Sequence, residues 1–92
     1  MDLKTIYSNK PKFVVREIGE ELILVPLTGN VAKMNEMFTM NETGKFIWEN
    51  INETTTVEEL EKAVTDEFSI DPETAKNDIE LFLIQLVTKL KI

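Results

Sequence analysis

The 92-residue chain has no cysteine and no histidine, and only three glycines and three prolines. The first absence excludes disulfides, thiolate metal sites and thiol nucleophiles. The second removes the commonest general base and the commonest neutral metal ligand. No nucleophile–base pair is recognisable in what remains, so a non-enzyme without catalytic residues, cofactor or metal is expected. No segment has the apolar run of a signal peptide or a membrane span. A soluble, cytoplasmic protein with no membrane partner follows as the default. No repeat or low-complexity linker interrupts the chain, and its length suits one small domain.

What is abundant is acid. Seventeen Asp and Glu residues against ten Lys and Arg give a net charge of −7. The surplus lies in residues 53–80, which hold ten acidic and two basic residues. A nucleic-acid reader normally presents a basic face, whereas this half of the chain would repel phosphate. Nucleic acid is therefore not expected as a partner. Glu58, Glu59 and Glu61 open one predicted helix and Asp71 and Glu73 another, where the helix dipole favours them. A solvated acidic face accounts for them, and such a face suits a basic partner surface.

Residues 1–10 are polar and lack periodicity, and read as a flexible arm ahead of a domain spanning residues 11–92. "KFVVREI" (12–18) and "EELILVPL" (20–27) are rich in β-branched and aliphatic residues and flank Gly19. They predict two strands joined by a tight turn. A third strand is expected within "VAKMNEMFTM" (31–40), after a turn at "TGN" (28–30) or at "NE" (35–36). The residues leave both turns open, and with them the register. The period then changes from 2 to 3.6. A helix is expected from Asn41 to about Asn50, and a second opens with the capping-box pair Thr56 and Glu59. Its apolar stripe is Val57, Leu60, Val64 and Phe68. Asp71 and Pro72 begin a third, running to about Lys89, where Lys89 and Lys91 complement the dipole.

Two features stand out. In "MNETGKFIWENI" (40–51), Gly44 shares a face with Ile47, Trp48 and Ile51, although glycine costs a helix roughly 1 kcal/mol relative to alanine. Close approach of the helix to the sheet explains it; backbone exposed to a ligand is the other reading. In the last helix Ala75, Ile79, Phe82, Leu83, Leu86 and Leu90 form a core stripe, while Leu81 and Ile84 point nearly the opposite way. Those two are covered by the N-terminal arm, stand as isolated exposed residues, or meet a partner. The partner would be a peptide or a second copy of the chain, a homodimer through Leu81 and Ile84. Met40 is expected in the core with Met37 left open, and Phe46 closes an end of the sheet or faces a partner.

"MNETGKFIW", followed by "TTTVEELEKAVTDEFSIDPETAKNDIELFLIQLVTKL", resembles the PqqD family. The shared pattern is an aliphatic-Asn-x-x-Gly-x-x-Ile-Trp segment, a T-x-x-E-L helix start, an aliphatic-Asp helix start and a Leu-rich final helix. It runs from about residue 13 to the C-terminus. Two features depart from it. Asn52-Glu53 stands where many members have Asp-Gly, and "PLTGNVAKMNEMF" is longer than the simple hairpin of the pyrroloquinoline quinone pathway members.

The resemblance implies an α+β, winged-helix-like fold, a three-stranded antiparallel sheet followed by three helices. It also implies a peptide-recognition role, in which the leader of a ribosomally synthesised precursor peptide is bound and presented to a modifying enzyme, expected to be a radical SAM enzyme. The leader would add as a strand beside the third strand. Carried onto this chain, the edge is Glu36, Met37, Phe38 and Thr39 to Met40, and the wall on the last helix is Ile79, Phe82, Gln85 and Leu86. The alternatives are a winged-helix DNA-binding regulator, which the acidic helices oppose, and a structural subunit of a larger complex.

Overall fold

The computed structural model describes residues 3–29 and 31–90, the side chain of Leu90 excepted. Met1, Asp2, the expected core side chain of Leu90 and the expected dipole partner Lys91 therefore lie outside the described residues. Helix α1 (Leu3–Asn9) leads through a 3-10 turn (Lys10–Lys12) into strands β1 (Phe13–Ile18) and β2 (Glu21–Thr28). Two short strands follow, β3 (Val31–Ala32) and β4 (Phe38–Met40), separated by a 3-10 turn at Met34–Glu36. Three helices complete the chain, α2 (Glu42–Asn50), α3 (Val57–Phe68) and α4 (Pro72–Leu90). The class is the expected α+β, with the winged-helix-like order of an antiparallel sheet followed by three helices.

The flexible arm is a correction. Residues 3–9 form α1, which buries Leu3 and Ile6 in the main core. Spacing of three brings those side chains to one face, and their burial supplies what local propensity does not. Next along the chain, the Lys10 ammonium donates to the carbonyls of Trp48 and Ile51, each at 2.7 Å. It thereby adds a second donor to Trp48 O, which already accepts from Ile51 N, and supplies one to Ile51 O beyond the end of α2. The same Nζ lies 5.0 Å from the centre of the Trp48 ring. Burial lowers the Lys10 pKa from its usual value, against an opposing pull from Glu49.

Strand β2 is central. On one side it pairs antiparallel with β1, and on the other with β3 near its C-terminal end and with β4 at Leu22–Leu24. Gly29, at φ +62°, makes the β2–β3 turn within "TGN", one of the two positions left open. Beyond it Lys33 N donates to Pro26 O, yet Phe38 lies opposite Leu24. The third strand thus takes three residues more than β2 over the same distance, and the Met34–Glu36 turn absorbs them. Glu36 is accordingly in a turn and not on the strand edge. The inserted turn divides the expected third strand in two.

The helices follow their caps. Asn41 Oδ1 accepts from Gly44 N, Thr56 and Glu59 close a reciprocal capping box, and Asp71 Oδ2 accepts from Thr74 N. The core gathers Leu22, Leu24 and Met40 from the sheet with Ile47, Trp48 and Leu60 from the helices. Phe46 packs edge-on against Phe68, ring centres 5.4 Å apart, and so joins α2 to α3.

Candidate functional site

A groove of about 300 Å³ opens between β4, the start of α2 and one face of α4. Phe38 and Phe82 meet across it with ring centres 6.4 Å apart and planes at 60°. Gly44 makes room for this arrangement. A Cβ there would lie 2.9 Å from Phe82 Cε1 and 3.1 Å from the Met40 Cβ. The close approach expected of this glycine is therefore to the Phe82 ring as much as to the sheet, and Gly44 itself lines the groove. Beyond Phe38 and Gln85, which line both, the groove continues into a shallower space bounded by Asn35, Glu36, Thr88 and Lys89.

The helical wall comes from a stripe flanking the core face of α4. Asp78, Leu81, Phe82 and Gln85 recur at i, i+3, i+4 and i+7 and line the groove together. The core face itself holds Ala75, Ile79, Leu83 and Leu86. Ile79 and Leu86 are each 0% exposed, so they belong to the interior and present nothing to a partner. This corrects two of the four expected wall positions. Phe82 and Gln85 line the groove, and so do Asp78 and Leu81. The wheel position of Leu81, nearly opposite the core stripe, is the signal the sequence offers for it. Asp78 carried none, being one acidic residue among many. Leu81 is 58% exposed and Ile84 54% exposed, and α1 packs into the core instead of over them.

On the strand side, Phe38 and Thr39 line the groove, Glu36 lines its extension, and Met37 lines neither. The direction of the free hydrogen-bonding groups follows from register. Pro26 O points toward β3, where it meets Lys33 N. Successive residues of a strand direct their amide and carbonyl groups to opposite sides. Leu22 and Leu24 therefore also face the β3–β4 side, and bond Met40 and Phe38, their partners in register. Thr39, between those two, directs its N–H and C=O away from β2 and out along the open edge. That edge borders the groove.

Asp78 is the one charged residue among those lining the main groove. The Lys45–Glu17 ion pair, 2.7 Å, ties α2 to β1 away from it; the hydrogen bond to Glu17 raises the Lys45 pKa. Among the described residues, no group of three or more acidic side chains is placed to hold a metal ion. Neither is any described helix long and apolar enough to cross a membrane.

An α+β domain with an exposed strand edge beside an aromatic groove is the class of protein that this geometry defines. The family profile of Coenzyme PQQ synthesis protein D (PqqD) matches residues 20–89, and the chain belongs to that family. Among solved structures it is similar to "TbiB1 in Complex with the TbiA(beta) Leader Peptide", with a TM-score of 0.68 and 28% identity over 85% of each chain. No curated protein matches.

Proposed function

We propose that this chain is a noncatalytic peptide-recognition protein. It binds the leader of a ribosomally synthesised precursor peptide as an added strand along β4 and presents it to a modifying enzyme. The observation that carries this reading is the outward-facing backbone of Thr39 beside the Phe38–Phe82 groove. An added strand draws affinity from main-chain hydrogen bonds and specificity from alternate side chains reaching adjacent pockets. Membership of the PqqD family supports the reading. So does the likeness to TbiB1, a structure described as a complex with a leader peptide. A radical SAM enzyme as the partner rests on the family resemblance.

Self-association through Leu81 and Ile84 is the competing use of the same face. Because Leu81 lines the groove, a dimer built on it would exclude the leader. Chemical-shift mapping with a leader from a neighbouring precursor gene tests the reading. Perturbations at Phe38–Asn41, Leu81, Phe82 and Gln85 are expected. A response confined to β1 and α3 would overturn it.

A further inference from the structure

The groove sets the apolar side chains of Phe38, Leu81 and Phe82 among neutral polar ones, Thr39, Asn41, Thr43 and Gln85. Its extension near residue 89 sets Glu36 beside Lys89, so that end has no single sign of charge. Charge information is concentrated at the other end, at Asp78. That side chain is exposed, on an α4 whose surroundings are acidic, since residues 53–80 carry ten acidic and two basic residues. A cationic side chain arriving there meets an attractive local field, and an anionic one is repelled.

Direction and spacing follow from the same lining. Asn35 and Glu36 share one end with Thr88 and Lys89, while Met40 and Asn41 share the other with Asp78. Helix α4 thus runs opposite to β4. A peptide added antiparallel to β4, like the other pairs in this sheet, runs parallel to α4 and passes Asp78 first. From Asp78 to the Leu81–Phe82 wall the helix rises about 5 Å. Two residues of extended chain cover about 6.6 Å, and alternate residues point to the same side. One groove-facing position therefore meets Asp78, and the next meets the aromatic wall.

We infer that Asp78 is a specificity-determining residue that selects leaders carrying a lysine or arginine two positions before a large apolar anchor, the anchor seating against Phe38, Leu81 and Phe82. The inference rests on the leader-binding reading and adds a sequence rule to it.

A phage-displayed library of fully randomised linear decapeptides, panned on the wild-type protein and on Asp78→Lys, tests the rule without a known ligand. Asp78 is exposed, and thermal melting checks that the variant folds. The expected result is enrichment of basic-x-apolar peptides on the wild type and of acidic-x-apolar peptides on Asp78→Lys. Fluorescence anisotropy of one enriched wild-type peptide should show binding weakened by Asp78→Asn, by up to about fivefold, the upper end for an exposed charge pair. Apolar anchors enriched with no preference two positions earlier would overturn the role of Asp78 and leave leader binding intact. Failure to enrich any peptide over the unselected library would overturn the leader-binding reading, and this inference with it.

Discussion

The Phe82 ring lies over Gly44 so closely that a Cβ on the glycine would sit 2.9 Å from the ring's Cε1. The glycine is a helical position kept empty for a side chain of another helix, and that side chain forms the groove wall. Gly44→Leu is expected to cost about 1–3 kcal/mol through overpacking. Gly44→Ala is subtler. The gain of about 1 kcal/mol in helix propensity opposes the displacement of the ring, so stability should change little while leader affinity falls. Urea denaturation and peptide titration separate the two effects. Unchanged melting of Gly44→Leu would show that the contact is not close.

Trp48 joins three elements from its place in α2. It is buried, meets Phe13 edge-on at 6.3 Å, and lies beneath the Lys10 ammonium. Trp48→Ala should cost about 3–5 kcal/mol, the range for truncating a large core side chain.

Lys10→Met keeps the aliphatic stem and removes the donor to Trp48 O and Ile51 O. A loss of about 1–3 kcal/mol is expected, because hydrogen bonds involving a charged group are worth more than neutral ones. The pH dependence has a definite sign. Burial lowers the Lys10 pKa in the folded protein, so between that value and 10.5 the unfolded chain binds more protons. Stability then rises with pH. The gap between wild type and Lys10→Met should widen as pH approaches 10.5. A gap that narrows there would refute the assignment.

Helix caps are short-range chemistry, and Asn41, Thr56 and Asp71 marked the starts of the last three helices from a few adjacent residues each. Helix α1 is marked in the sequence by no capping box and no apolar periodicity. It is seven residues long, with no acidic residue in its first turn and no basic residue in its last. Packing of Leu3 and Ile6 on a core built from distant residues anchors it. The interruption of the third strand is hidden for a related reason. "TGN" and "NE" were equal turn candidates, and both are turns, the first a hairpin and the second an insertion within the strand. The wall carried over from the resemblance includes Phe82 and Gln85, which line the groove, but also Ile79 and Leu86, which do not. The core face and groove face of α4 adjoin, and the boundary is decided by where β4 and Gly44 lie.

Leu81 and Ile84 are both exposed, yet only Leu81 borders the groove. Leu81→Lys should fold normally and weaken leader binding, since it puts a solvated ammonium where an apolar wall stood. Ile84→Glu should leave binding unchanged. If a dimer forms through this face, light scattering should register its loss in either variant, and leader should dissociate the wild-type dimer. Loss of folding on Leu81→Lys would return that side chain to the core.

Proline substitution along β4 reads out the direction of each amide. Register turns the Phe38 N–H inward toward Leu24 and the Thr39 N–H outward to the free edge. Proline is tolerated on an edge strand where its missing N–H faces solvent. Thr39→Pro should therefore keep most of the fold while removing a donor to the added strand, weakening leader binding by about 1 kcal/mol or more. Phe38→Pro removes a ladder bond to the central strand and a groove ring at once, so it should unfold more readily whether or not leader is present. Thermal melting ranks the two variants, and titration with leader follows for Thr39→Pro at a temperature where it is folded. Were Thr39→Pro to bind as tightly as wild type, the leader would not pair with this edge. The Phe38–Phe82 groove would then hold its peptide by side chains alone.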